Sequence, residues 1–544
     1  MDFFALSIVF LFDNQARRCY SKNEVICVKK ITAVLLAAIL LCIPAVFPAA
    51  AEETPAEEPA AAGCDCGNSP VILINGINAR DLLLTDETGA QTVTFPFANE
   101  DIPALIKENK KALWDMLDGR FSDESAAAVE QAVEGLLAGV VMNDDGTSRY
   151  DVRIDWEYPM WDGHKQGQGF TFCYDWRLDP FEIADGLHDF IQYVQTLTGH
   201  DSVSLVGFSE GALMLNTYLC VYGYENIDAC VWYCGAHNGV EIVGQLFTGR
   251  YNLDAAAVTD YVHAFTEQTF AMEALSFALE GLRDIGVTRA ALKITNKVLS
   301  KLNDMGTLQE ITRETFGKMP AIWAMVGDEY YEEAKAYIFG DDLTSGRYDA
   351  LLEKIDRYHN EVQAHSAEIM QTAAEQIGKV GVISKYGTRM IPVTENATVQ
   401  ADGVIHSAGT SCGAVFAPFG KTLGKTYLQA VSDGHDHLSA DGMVDASAAL
   451  FPENTWFIKN LEHSQSNVYI NDLLRRIVTA DAPLTVSDDP AFPQFAVYNA
   501  EEDSVSPLTA DNADPAPKKA VVRIREFFQK IRDWFLHLFD WMKK

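Results

Sequence analysis

Positive charge is scarce in this chain. Its 544 residues carry 42 Lys and Arg against 77 Asp and Glu, a formal net charge of -35. A nucleic acid is therefore excluded as a partner, and a strongly anionic membrane is repelled unless a local basic patch intervenes. Cysteine chemistry has little to work with. Of the ten cysteines, Cys19, Cys27 and Cys42 fall in a stretch read below as removed. Cys64, Cys66, Cys173, Cys220, Cys230, Cys234 and Cys412 remain, an odd set that leaves a thiol unpaired in a monomer. Cys64-Asp65-Cys66 lacks the C-x-x-C spacing of a redox site and has no companions at zinc-ligand spacing. The other cysteines sit in apolar contexts and read as small buried hydrophobes. Long apolar runs are few, and Ile31 to Val46 is near the lower limit for spanning a bilayer.

That run follows Lys29-Lys30 and leads to Ala49-Ala50-Ala51 before Glu52, the pattern of a secretory signal peptide with a small-residue cleavage site. The expected location is outside the cell, secreted or associated with the cell surface. Met1 to Cys27 is read as an upstream extension with Val28 as an alternative start, and an uncleaved signal anchor is the rival reading. Residues 52–68 follow as a flexible leader, its first part a run of Ala, Glu and Pro. At the other end, after the linker Asp511 to Pro517, Val521, Ile524, Phe527, Phe528, Ile531, Trp534, Phe535, Leu538 and Met542 repeat at helical spacing. Lys518, Lys519, Arg523, Arg525, Lys530, Arg532, Lys543 and Lys544 accompany them, so an acidic protein ends in a basic aromatic helix. Such a helix suits a membrane surface, and docking on the protein's own core is the alternative.

The chemistry centres on Gly207-Phe208-Ser209-Glu210-Gly211, which follows the apolar run Val203 to Val206 and precedes the helix-like stretch Ala212 to Tyr218. A G-x-S-x-G between strand and helix is a nucleophile elbow, whose sharp turn holds the serine in a strained conformation. A serine hydroxyl needs a histidine to take its proton and a carboxylate to orient that histidine. In the chain order Ser, Asp, His, Asp441 in the turn Ala440 to Ser447 and His463 after Trp456 to Glu462 are the expected partners, with Asp445 the rival acid. His435 and His437 precede that acid in a polar loop, and His537 lies in the C-terminal segment. His237 comes before any acid and is given a pocket or structural role. The oxyanion donors are expected to be the backbone N–H groups of Glu210, after the nucleophile, and Ile77, in the turn that ends the apolar strand Pro70 to Ile74.

These pieces together resemble the lecithin:cholesterol acyltransferase family of α/β-hydrolases, with its phospholipase and phospholipid:diacylglycerol acyltransferase relatives. The resemblance runs through Pro70 to Gly76, Tyr174-Asp175-Trp176-Arg177-Leu178, the elbow, Lys385-Tyr386-Gly387-Thr388, Asp441-Gly442-Met443-Val444 and His463, and it covers roughly residues 69 to 470. Phe208, Ala440 and Met443 depart from the family's pattern, which has histidine before the serine and glycine and threonine around the acid. The resemblance implies an α/β fold, an α/β-hydrolase with a mostly parallel sheet, and an esterase, lipase or O-acyltransferase working on lipid or other esters through an acyl-serine. A non-catalytic surface-binding protein that keeps the fold is the reading of a different class.

The expected organisation is core from 69 to 239, a helical cap inserted over 240–379, core again over 380–480, a linker region at 481–517 and the basic helix at 518–544. Helical periodicity in Ala255 to Leu282 and Tyr348 to Ile377 supports the cap, either a mobile lid or a static buttress. No cofactor is expected. The loop Asp433-Gly434-His435-Asp436-His437 offers metal-ligand types but no further set at defined spacing, so it is read as a hydrated acidic loop and no metal is expected.

Overall fold

The computed structural model describes residues 67–96, 105, 108–158, 169–258, 287–432, 434–500 and 502–513. The signal peptide, most of the leader, most of the helical stretch Ala255 to Leu282 and the basic C-terminal helix lie outside the described residues.

The chain is α/β. Eight strands form one sheet: β1 (Val71–Ile74), β2 (Gly169–Phe172), β3 (Val203–Phe208), β4 (Ile227–Tyr233), β5 (Val380–Tyr386), β6 (Thr455–Lys459), β7 (Phe495–Asn499) and β8 (Ser504–Pro507). Their order across the sheet is β8-β7-β6-β5-β4-β3-β1-β2. Every pairing is parallel except that of β7 with β8. A parallel sheet needs both faces covered, and its strands are accordingly near-continuous apolar runs. Because successive side chains point to opposite faces, β3 sends Leu205 to one core and Val206 to the other, and β4 divides Cys230 and Trp232 from Ala229, Val231 and Tyr233 in the same way.

The first face is covered by α1 (Pro180–Thr198) and α2 (Gly211–Tyr222), whose Leu187, Phe190, Leu213 and Leu215 join Ile72, Ile74 and Leu205. The start of α1 is fixed by Asp179, whose carboxylate accepts from the Phe181 N–H, and by Pro180 in the first turn. It ends at Gly199, left-handed at φ 68°. On the second face α3 (Val468–Val478) packs Ile470, Leu473 and Ile477 against Val206, Val231, Ile383 and Trp456. Burying one such side chain contributes roughly 1.5–3 kcal/mol.

Three long excursions leave the sheet, and the one between β5 and β6 carries two small antiparallel pairs. Between β1 and β2 the chain builds a three-stranded antiparallel ribbon (Leu82–Thr85, Gln91–Phe95, Val152–Ile154) with helices Lys110–Leu117 and Asp123–Leu137. Between β4 and β5 the described residues are helical, including Val287–Asp304, Thr307–Glu314, Asp328–Phe339, Asp349–Tyr358 and Ser366–Gln376. The segment read as a linker at 481–517 departs from expectation, because it supplies β7 and β8. Phe495-Ala496-Val497-Tyr498 is short and sits among Asp, Pro and Glu, so local pattern is weak there. Pairing with β6 and burial of Ala496 and Tyr498 beside Trp456 make it a strand.

Candidate active site

The elbow forms at the carboxyl end of β3. Ser209 stands at φ 57°, a left-handed conformation unusual for a non-glycine residue. Its N–H donates to the Tyr233 carbonyl at 3.1 Å, tying the turn to the end of β4. Gly211 is required by close approach: a Cβ there would lie 2.0 Å from the Ile74 carbonyl oxygen. The backbone at the end of β1 thus packs directly against the first turn of α2. Gly76 makes the matching approach from the other side, where a Cβ would stand 2.7 Å from Ser209 Cβ.

His463 lies in the loop after β6, with Nε2 2.9 Å from Ser209 Oγ. Its Nδ1 is 2.7 Å from Oδ2 of Asp402, not of Asp441. Asp402 follows the short strand Gln400–Ala401 and is fully buried. Its other oxygen accepts from the N–H groups of Val404 (3.0 Å) and Ile405 (2.8 Å), and its carbonyl accepts from the His463 N–H at 2.8 Å. Burial raises the pKa of this carboxyl, but the opposing imidazole and the backbone donors outweigh it and hold it below the usual aspartate range. Serine, imidazole and carboxylate therefore form one hydrogen-bonded relay, Ser209 only 6% and His463 5% exposed.

The assignment of the acid to Asp441 or Asp445 is corrected by this geometry. Asp441 accepts from Lys459 Nζ at 3.0 Å, Tyr386 Oη at 3.0 Å, Ser439 Oγ at 2.6 Å and the Met443 N–H at 3.0 Å. Asp445 accepts from Tyr427 Oη and from the N–H groups of Ala430 and Ser447. Asp441 is satisfied from β5, β6 and its own loop, Asp445 from its own loop, and neither reaches a histidine. The sequence held a signal for Asp402: Ala401-Asp402-Gly403 repeats the Ala-Asp-Gly of residues 440–442 and follows more closely on Lys385-Tyr386-Gly387-Thr388.

Three surrounding groups fix the relay. Lys385, fully buried on β5, donates its ammonium to the carbonyls of Glu462 (2.9 Å), His463 (2.8 Å) and Gln465 (2.7 Å), clamping the turn that carries the imidazole. Burial lowers its pKa, against the opposing pull of Cys234, Asp402 and Glu462. Phe208 lays its ring against that of His463, centroids 5.1 Å apart. Tyr174 donates its hydroxyl to the Asn75 carbonyl at 2.7 Å and meets Glu210 Oε2 at 3.2 Å, joining the end of β1 to the residue after the nucleophile. The Glu210 side chain is fully buried. Burial pushes its pKa far above the usual glutamate range, against the hydrogen bond from Tyr174.

The remaining members of the Tyr-Asp-Trp-Arg run are structural. Arg177 meets both oxygens of Asp175, at 2.9 and 2.6 Å, and reaches the Val140 carbonyl and Ser148 Oγ, which anchors the excursion after β1. Trp176 packs against Phe95 with centroids 5.2 Å apart. Ile77 is buried and follows Gly76, whose backbone approaches Ser209, and Glu210 follows Ser209 as the residue before α2. His237 lines a cavity of about 390 Å³ with Glu241, Tyr330, Met370, His406 and Cys412. Its Nε2 lies 2.9 Å from Cys412 Sγ, and burial lowers its pKa to about 4, so it is neutral at physiological pH.

No protein-family model matches the chain, and no curated protein matches it. Among solved structures it is similar to a chain of the crystal structure of the Tle4-Tli4 complex, at 13% identity over 58% of this chain and 74% of that one, with a TM-score of 0.26.

Proposed function

We propose that this chain is a serine hydrolase or O-acyltransferase of the α/β-hydrolase type, related to the lecithin:cholesterol acyltransferase family, acting on carboxylic and in particular lipid esters. The observation that carries this reading is the relay Ser209–His463–Asp402, at 2.9 and 2.7 Å, at the carboxyl edge of a parallel sheet.

In this reading Ser209 Oγ attacks the ester carbonyl while His463 Nε2 takes its proton. Asp402 keeps the Nδ1–H tautomer in place and stabilises the imidazolium that forms. The oxyanion is held by the backbone N–H groups of Ile77 and Glu210, the latter at the positive end of α2. His463 then gives its proton to the leaving alkoxide, and an acyl-Ser209 remains for water or an acceptor alcohol to attack. The helical segment after β4 serves as cap over the lipid-binding side. The N-terminal signal directs the protein to the exterior, and the basic C-terminal helix supplies membrane attachment.

The test is labelling by a fluorophosphonate followed by assays on short soluble and aggregated lipid esters. Wild-type protein is expected to be labelled at Ser209, and Ser209→Ala to lose labelling and turnover while keeping its fold. Turnover retained by Ser209→Ala overturns the reading.

A further inference from the structure

The loop that carries His435 and His437 meets a third ligand type that sequence spacing does not reveal. Glu453 sits in the short 3-10 turn Pro452–Asn454 immediately before β6, and its Oε1 faces both imidazoles. One ligand atom from each of His435, His437 and Glu453 lies within 4.8 Å of the other two.

Hydrogen bonds around His437 fix its tautomer. Gln494 donates its amide Nε2 to the carbonyls of Pro452 (2.6 Å) and Thr455 (3.4 Å), so its Oε1 is the atom that meets His437 Nδ1 at 3.0 Å. A carbonyl oxygen accepts, so Nδ1 carries a hydrogen, and Nε2 faces the Glu453 carboxylate 3.4 Å away. This pairing accommodates a positive centre between the two atoms, a proton or a metal ion. The separation also suits one: ligands about 2.0–2.1 Å from a tetrahedral zinc stand roughly 3.4 Å apart. The backing of a ligand imidazole by an amide oxygen on its other nitrogen is the usual outer support of such a site.

We propose that His435, His437 and Glu453 bind a single divalent transition metal of the zinc class, with the fourth position open to water. His437 is 2% exposed and held by the Gln494 bond and by its backbone contact with Gln429 Oε1 at 2.9 Å. Its position is therefore set before the ion arrives. His435 is 64% exposed and needs only a small outward swing from its contact with Glu453. Glu453 precedes the amino end of β6, whereas His463 follows the carboxyl end. The ion accordingly clips the loop 429–438 to the base of the sheet and takes no part in ester chemistry.

The experiment uses the full chain freed of metal by a chelator, titrated with Co2+ by visible absorption, displaced with Zn2+, and melted with and without Zn2+. One ion per chain, a visible ligand-field band and a higher Tm with Zn2+ are expected. Glu453→Gln and His435→Asn should lose the band and the Tm rise while keeping kcat on a soluble ester. Gln494→Leu should weaken Co2+ binding by about 10–100-fold. His437→Ala should bind none, and the two exposed-side variants keep the test open if that buried change prevents folding. Absence of any band and of any Tm change in the wild type overturns the proposal. So does a band that survives Glu453→Gln and disappears in His463→Ala, because the ion would then sit among Cys234, Asp402 and His463.

Discussion

Two Ala-Asp-Gly turns, at residues 401–403 and 440–442, have the same local sequence and opposite fates. In the first, Asp402 takes the imidazole of His463; in the second, Asp441 takes the ammonium of Lys459. Both partners come from one stretch of chain, Lys459 at the last residue of β6 and His463 four residues beyond. The carboxylates are equally out of water, with side-chain exposures of 0% and 2%. What separates them is the partner that tertiary structure delivers. An imidazole opposite a serine makes a relay, whereas an ammonium makes a brace for the loop.

The sharpest way to break this contrast is to remove each charge separately. Asp402→Asn should lower kcat by about 10³–10⁴-fold, because the amide favours the wrong tautomer of His463, and stability should change less. Asp441→Asn should leave kcat within a few-fold and lower stability by about 3 kcal/mol, since the buried Lys459 loses its counter-charge. Kinetics and urea denaturation on the two variants decide it, and a crossed result would return the catalytic role to Asp441.

The brace can be sharpened further by a double change. With Lys459→Met added to Asp441→Asn, no charge is left unpaired, so the double variant should recover about 1–3 kcal/mol over the single one in the same denaturation series. Additive losses would show that Asp441 acts through Tyr386 and Ser439 and not through the ammonium.

Proton linkage distinguishes Asp402 from the other buried carboxyl of the site. The folded pKa of Asp402 lies below its ordinary value, so its stabilisation is present above about pH 4 and is lost as pH falls through the folded value. Glu210 has the opposite sign. Its stabilisation is full below about pH 4.5 and is lost as pH rises toward its raised folded pKa. Thermal melts across pH should show Asp402→Asn flattening the acid limb. Glu210→Gln should flatten the decline on the neutral side.

The smallest expected effect is at Tyr174. Tyr174→Phe removes one donor to the Asn75 carbonyl and should cost about 1 kcal/mol, with a modest fall in kcat from a looser oxyanion loop. An unchanged kcat would confine the tyrosine to packing.

The elbow was legible because everything that defines it is local: an apolar strand, two glycines and a following helix lie within twenty residues of Ser209. His463 was legible for a similar reason, since it follows the apolar run that becomes β6 and no other downstream histidine does so. The acid was harder, because Asp402 and Asp441 share one Ala-Asp-Gly sequence and only the nearness of Asp402 to the Lys385–Thr388 run set it apart. The hairpin of β7 and β8 was hidden by short length and polar neighbours, and it gains its strand character from the sheet edge already in place. Glu453 escaped for want of any sequence link to His435 and His437, since its approach depends on where β6 begins.

The point of insertion of the helical segment has a consequence for how this chain can vary. It leaves β4 and returns to β5, and these strands are direct neighbours in register, Cys230 beside Val380 and Tyr233 beside Ile383. The exit is at the carboxyl end of β4 and the re-entry at the amino end of β5, so the two ends lie at opposite edges of a parallel pair, roughly 10 Å apart along the strands and about 5 Å across, whatever lies between them. Lengthening the excursion costs the sheet only about 0.6 kcal/mol per doubling. The β4–β5 register thus fixes the two points between which this segment can be exchanged. Grafts cut at residues 234 and 379 should leave the sheet intact, which urea denaturation of such chimeras checks.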